Sequence, residues 1–194
     1  MGKIAFVFPG QGAQSVGMGK DTLEIPAARN MFETADEAVG YRLSSIIFEG
    51  PEEELRSTAN TQPALLAASL AYLAAFRALG GEKTAPDYVA GHSLGEWTAL
   101  AAAGAIAPGE AARLVPLRGR FMEEAVPGGR GAMAAVLGAE REKLEALCAA
   151  VSREDGLVEP ANVNCPGQIV ISGTREGVQA AAERARAEAG AKRV

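Results

Sequence analysis

Several residue types are scarce in this chain, and each scarcity excludes a class of site. The 194 residues include one histidine and two cysteines, Cys148 and Cys165. Two cysteines this far apart in the sequence make neither a disulfide framework nor a zinc site. We therefore expect reduced thiols of a cytosolic protein and no bound metal.

Basic charge and long apolar runs are also lacking. The net charge of -5 offers no basic footprint for nucleic acid. The longest apolar run, residues 64–76, is broken by Ser69 and is shorter than the roughly 18 residues needed to cross a bilayer. The first ten residues do not form the apolar stretch of a secretory signal. We expect a cytoplasmic protein with neither a nucleic-acid nor a membrane partner.

What is present predicts an α/β protein, because 48% of the residues are hydrophobic and short apolar runs alternate with helical patterns. "KIAFVF" (residues 3–8) and "DYVAGHS" predict buried parallel strands. Residues 63–79 predict a central helix that begins at Pro63, and residues 108–126 predict another that Pro116 should kink or interrupt. Residues 1–126 form the predicted first subdomain.

The pattern changes after the glycine-rich break "PGGRGA", which predicts a second subdomain over residues 127–194. Its order of strand, helix, strand, strand, helix and strand is that of a ferredoxin-like split unit. The last strand, "AKRV", has barely begun at Val194. We expect a truncated chain, because a missing strand leaves neighbouring backbone groups unpaired.

The candidate nucleophile is Ser93 in "AGHSLGEW", where Gly91 and Gly95 complete the spacing G-x-S-x-G. A strand that turns sharply into a helix would expose the serine hydroxyl and direct the backbone N–H of Leu94 at an oxyanion. The alternative is a glycine-rich turn with a capping serine, which Glu96 would suit. His92 is a poor candidate for the base, because adjacent side chains diverge.

A second glycine-rich turn, "FPGQGAQSVGMG", follows the first strand. Ser15 stands where the dinucleotide fingerprint needs glycine, and Asp21 where a P-loop needs serine or threonine. The turn can instead supply a second oxyanion N–H, for which Gln11 is the candidate. Arg118 in "PLRGRFM" could bind a substrate carboxylate, although residue type alone favours an ion pair or a solvent-facing arginine.

Six segments ("FVFPGQGAQ", "TQPALLAASLA", "AGHSLGEWTAL", "LRGRFM", "GAMAAVLG" and "PANVNCPGQIVISG") occur in the order and spacing of bacterial malonyl-CoA:acyl carrier protein transacylases. The chain resembles this family, and the related acyltransferase domains of fatty-acid and polyketide synthases, over essentially its whole length. The resemblance implies an incomplete α/β-hydrolase-like large subdomain with an inserted ferredoxin-like small one. It also implies a monomer, when complete, that binds no cofactor.

The activity that the resemblance implies is transfer of a malonyl group from malonyl-CoA to the phosphopantetheine thiol of acyl carrier protein, in fatty acid biosynthesis. Ser93 would be the nucleophile and Arg118 would bind the malonyl carboxylate. The other family positions are the oxyanion-hole residues Gln11 and Leu94 and the acyl- and pantetheine-site residues Met122 and Asn162. Pro116 could displace Arg118.

In this family the catalytic histidine follows a segment that resembles "AKRV", so we expect the 194-residue chain alone to be nearly inactive. Loss of the base of a serine-centred site costs on the order of 10⁶ in kcat in a serine protease. Two alternatives stay open: a serine hydrolase or thioesterase of the α/β class, and an inactive fragment that only binds acyl-CoA or carrier protein.

Overall fold

The computed structural model describes residues 2–126 and 129–194. It divides into two compact units, Met1–Met122 and Glu123–Val194. The subdomain boundary expected from the sequence falls at Pro127, and Pro127 and Gly128 lie outside the described residues.

The first unit contains a parallel strand pair among helices. Strands β1 (Ala5–Phe8) and β2 (Tyr88–Gly91) pair in parallel, with Phe8 opposite Gly91. The helices are α1 (Pro26–Val39), α2 (Leu43–Glu49), α3 (Glu52–Arg56), α4 (Thr58–Ala78), α5 (Leu94–Ala102) and α6 (Pro108–Ala125), whose last three residues belong to the second unit. The parallel pairing confirms the predicted α/β class.

Helix α4 is the centre of this unit, as its apolar sequence predicts. One side packs in a core with Phe32, Leu43 and Ile47, and another side packs with Leu94 and Val115. Residues 61–68 of α4 are all buried, whereas Tyr72 and Phe76 nearer its end are exposed. The buried part of α4 bears on the candidate site because α5 and α6, which carry candidate site residues, both pack against this helix.

The predicted start of one helix is wrong, and the interruption considered for another is absent. Helix α4 begins at Thr58, not at Pro63, because the carbonyl of Ser57 already accepts hydrogen bonds from the backbone N–H groups of Asn60 and Thr61. Pro63 is the sixth residue of α4, so it lacks one backbone N–H donor of the helix without ending it. Helix α6 is not interrupted but continues through Pro116.

The second unit is a three-stranded antiparallel sheet with two helices. Its elements are β3 (Gly131–Leu137), α7 (Arg141–Glu154), β4 (Val158–Cys165), β5 (Gln168–Thr174) and α8 (Arg175–Glu188). The strand order is β3-β5-β4, and Leu137 also forms an isolated antiparallel bridge with Arg193. The predicted order of the first five elements is confirmed.

One face of this sheet and the two helices share a core that includes Val136, Leu144, Ile171 and Ala181. Helix α8 starts where the hydroxyl of Thr174 accepts a hydrogen bond from the N–H of Gly177, a typical N-cap. Both cysteines are free. Cys148 lies in the core, and burial raises the pKa of its thiol.

The buried face of the second unit generates a stability prediction. Leu144 is 0% exposed and Leu157 is 61% exposed. We expect Leu144→Ala to lower the free energy of unfolding by about 2–5 kcal/mol, since it removes buried methyl groups and leaves a cavity. The matched control Leu157→Ala should change it by about 0.5 kcal/mol or less. Urea unfolding measures both, and equal midpoints would contradict the core assignment.

Candidate active site

Ser93 lies in a sharp turn between a strand and a helix. Strand β2 ends at Gly91 and α5 begins at Leu94, which confirms the predicted order of strand, turn and helix. Ser93 itself has φ 54° and ψ −105°, and in the described part of the chain no other non-glycine residue has a positive φ. Such strain persists only where the surrounding structure enforces it, and it is concentrated at functional sites.

The turn is enforced by close contacts between backbones that leave no room for side chains on either side of Ser93. A Cβ added to Gly91 would lie 1.9 Å from the carbonyl carbon of Gly95. A Cβ added to Gly95 would lie 2.3 Å from the carbonyl oxygen of Phe8, at the end of β1. The two glycines of the motif are therefore needed for the approach of β1, β2 and α5.

The Ser93 hydroxyl does not cap the helix. The N-cap position of α5 shows no side-chain capping hydrogen bond. Its Oγ instead accepts a hydrogen bond of 2.8 Å from Nη2 of Arg118, and the Ser93 side chain belongs to an exposed residue. The alternative of a capping serine is therefore contradicted, and the hydroxyl is directed away from the backbone of the turn.

The loop after β1 meets this turn at the same edge of the strand pair. Because Phe8 pairs with Gly91, the residues that follow each strand leave the sheet side by side. A Cβ added to Gly10 would lie 2.5 Å from the carbonyl oxygen of His92, so the two turns are in backbone contact. Gln11, the next residue, is exposed, and the N–H of Gly12 donates to Oε1 of Gln14 at 2.7 Å.

Leu94 is the first residue of α5, so its N–H has no acceptor within the helix. Its side chain is buried against α4 and α6, which holds the start of the helix in place. The positive end of the helix dipole lies at the same point. This end of α5 can stabilise a negative charge that develops beside the Ser93 hydroxyl.

Arg118 on α6 connects the serine to Gln62, a residue to which the sequence patterns assigned no role. Its Nη1 donates to Oε1 of Gln62 at 2.6 Å, while Nη2 donates to Ser93. Gln62 lies on α4 and is 1% exposed, and its Nε2 is 3.4 Å from Sδ of Met122. The sequence offered little signal for Gln62, because it precedes the predicted helix start at Pro63 and follows the polar residue Thr61. Its contact with Arg118 spans 56 positions.

The described hydrogen-bond partners of the Arg118 guanidinium are uncharged. None of the ion pairs formed by residues 2–126 and 129–194 includes Arg118, and both of its described hydrogen bonds go to uncharged oxygens. The expectation of a structural ion pair is therefore not met. A half-buried guanidinium of this kind favours an anionic ligand that offers a carboxylate.

Of the remaining candidates, Asn162 lies on β4 in the second unit, at an irregularity in the pairing with β5. A role for Asn162 at Ser93 stays a prediction. The imidazole of His92 packs on the loop after β1, since its Nδ1 would lie 3.0 Å from a Cβ on Gly10. Its placement beside this loop is the packing role expected for it.

In the part of the chain that the structure describes, no three histidine, cysteine, aspartate or glutamate side chains are grouped closely enough to bind a metal ion. No helix among these residues is long and apolar enough to cross a membrane.

The backbone contacts at the turn generate a prediction. We expect Gly95→Ala to destabilise the protein by about 2–4 kcal/mol, because the new methyl group would overlap backbone oxygen and nothing flexible can move away. Gly109→Ala is the matched control, since a Cβ there meets only Thr34 Cγ2 at 3.7 Å. Thermal unfolding followed by circular dichroism measures both, and an unshifted Tm in Gly95→Ala would contradict the described packing.

Known proteins resemble this chain in sequence and in fold. The acyl transferase domain family matches residues 5–194. The chain is 55% identical to a malonyl CoA-acyl carrier protein transacylase of Bacillus subtilis. The alignment covers all of this chain and 60% of that protein. It is 47% identical to an acyl-carrier-protein S-malonyltransferase of Burkholderia pseudomallei, with a TM-score of 0.92 over 99% of this chain and 61% of that one.

A further solved structure is a type II polyketide synthase acyl-carrier protein in complex with its malonyl-transacylase. Its matched chain is 46% identical, with a TM-score of 0.92 over 99% of this chain and 61% of that one. The chain thus spans about 60% of the length of the relatives it matches. On the family match and the identity over its full length, the chain belongs to the acyl transferase domain family.

Proposed function

We propose that the intact protein transfers a malonyl group from malonyl-CoA to the phosphopantetheine thiol of an acyl carrier protein. One observation carries the proposal: the Ser93 hydroxyl, exposed at a strained turn, lies 2.8 Å from a guanidinium that no described carboxylate neutralises. A serine nucleophile and a carboxylate-binding cation one hydrogen bond apart suit an acyl group that carries its own carboxylate.

The first half-reaction forms an acyl-serine. Ser93 Oγ attacks the thioester carbonyl of malonyl-CoA, its proton passes to a general base, and the carbon–sulfur bond breaks to release coenzyme A. The negative charge on the carbonyl oxygen is stabilised by the N–H groups of Leu94 and Gln11. The position of Leu94 at the start of α5 and the contact between the two turns support these roles.

The second half-reaction uses the same groups in reverse. The phosphopantetheine thiol of the carrier protein attacks the malonyl-serine ester, and Ser93 recovers its proton. Arg118 holds the malonyl carboxylate in both steps, with Met122 and Asn162 beside the acyl and pantetheine groups. We propose a histidine from the part of the family sequence that follows this segment as the base. The exchange of a thioester for a serine ester and back involves no redox step, and we propose that these side chains and backbone groups carry it without a cofactor.

We also propose the subdomain description that the resemblance implies. The parallel strand pair followed by the serine turn supports an α/β-hydrolase-like large subdomain. In the second unit, the bridge from Leu137 to Arg193 places a further chain segment beside β3, opposite β5. That order supports a ferredoxin-like small subdomain.

The proposal is tested by acylation of the intact protein. We expect incubation with malonyl-CoA to add one malonyl group to the peptide that contains Ser93, detected by mass spectrometry. Addition of holo acyl carrier protein should then remove it and yield malonyl-carrier protein. Ser93→Ala should show no adduct.

Two outcomes of this experiment favour the alternatives. Continuous release of coenzyme A and free malonate without a carrier thiol would identify a hydrolase. Binding of malonyl-CoA without an adduct on Ser93 would identify a binding module.

Arg118 generates a second prediction. We expect Arg118→Ala to lower kcat/KM for malonyl-CoA by about 100-fold or more, since a charge pair with the substrate is lost, while acetyl-CoA is used as well as before. Arg120→Ala on the same helix is the matched control, because Arg120 is exposed. An unchanged ratio of malonyl to acetyl transfer in Arg118→Ala would exclude Arg118 as the carboxylate ligand.

A further inference from the structure

Gln62 is a buried polar side chain with a specific hydrogen-bond partner. It is 1% exposed, and its amide oxygen accepts a hydrogen bond of 2.6 Å from Nη1 of Arg118. Its amide nitrogen faces the sulfur of Met122 at 3.4 Å. Burial of an amide is costly unless both of its ends are satisfied, and here both ends have partners on α6.

The hydrogen bond fixes the direction of the amide. A guanidinium only donates hydrogen bonds, so Oε1 must face Arg118, because the opposite orientation would bring two donors together. The bond also holds the guanidinium in place without neutralising it, which an aspartate or glutamate at this position would do. Position 62 thus orients the charge of Arg118 and leaves the charge available.

The bond leaves the guanidinium with free donors. Arginine has five N–H donors, and the described hydrogen bonds to Gln62 and Ser93 use two of them. The donors that remain can bind both oxygens of a carboxylate. Because Nη2 already reaches the Ser93 hydroxyl, a carboxylate bound there would lie within a few bonds of the reacting carbonyl carbon.

We infer that Gln62 is a positioning residue that determines acyl specificity. It orients Arg118 toward Ser93 as a cation with no counter-ion among the described residues, and thereby sets the preference for acyl groups that carry a terminal carboxylate. This inference rests on the proposed function. It differs from a space-filling role because it requires both the acceptor and the neutrality of the amide.

Two substitutions of Gln62 distinguish the need for its hydrogen-bond acceptor from the need for an uncharged side chain. Gln62→Glu keeps the shape and the acceptor but adds a negative charge beside Arg118. Gln62→Met keeps the length and removes the acceptor. The matched control for the added charge is Gln179→Glu on α8, where the side chain is exposed. All variants are made in the intact protein, and kcat/KM is measured with malonyl-CoA and acetyl-CoA as donors to holo acyl carrier protein.

We expect Gln62→Glu to lower the ratio of malonyl to acetyl kcat/KM by about 100-fold or more, because like charges repel the malonyl carboxylate. Gln62→Met should lower malonyl transfer by about tenfold and leave acetyl transfer within about twofold. In an Arg118→Ala background, Gln62→Met should change malonyl transfer by less than about twofold, because its effect acts through the arginine.

A ratio in Gln62→Glu equal to that in Gln179→Glu, in a protein whose wild type transfers malonyl, would overturn the inference and leave the proposed function intact. If Gln62→Glu does not fold, the cycle of Gln62→Met with Arg118→Ala decides, and additive effects overturn the inference. A wild type that shows no malonyl adduct on Ser93 would instead defeat the proposed function, and the inference with it.

Discussion

The first unit depends on a backbone approach that permits no side chain. A methyl group added to Gly95 would overlap the carbonyl oxygen of Phe8, and one added to Gly91 would overlap the backbone of Gly95. This contact brings the start of α5 against the ends of two parallel strands. It also places Ser93 in a left-handed conformation that only its surroundings can maintain. Sterics of the main chain, not side-chain hydrogen bonds, thus direct the hydroxyl outward.

Side chains from two other helices complete the arrangement. Residues 61–68 of α4 are all buried, so Gln62 has little freedom. Helix α6 packs on the same helix through Ala111 and Val115. Arg118 is therefore held by a rigid neighbour on one side and by the serine on the other. A preorganised donor of this kind is worth more than a mobile one, because no ordering is required when substrate binds.

The sequence alone predicted the features that depend on residues close together in the chain. Glycine spacing around Ser93 predicted the turn, and alternating strand and helix patterns predicted the first five elements of the second unit. The start of α4 was missed because backbone hydrogen bonds to Ser57 outweigh the preference of Pro63 for a first position. Gln62 was missed because its partner is 56 residues away, a relation that no periodicity reveals. Arg118 was identified through the family resemblance, since residue type alone favoured an ion pair or a solvent-facing arginine.

Backbone contacts position the nucleophile and side chains position the cation, and this separation has an evolutionary consequence. The nucleophile is positioned by contacts among β1, β2 and α5 that tolerate only glycine at two sites. The cation and its amide stand on α6 and α4 and are attached to that turn through one hydrogen bond to the hydroxyl. Descendants of such a protein can therefore exchange these two side chains and acquire a different acyl donor while they inherit the same reacting serine unchanged.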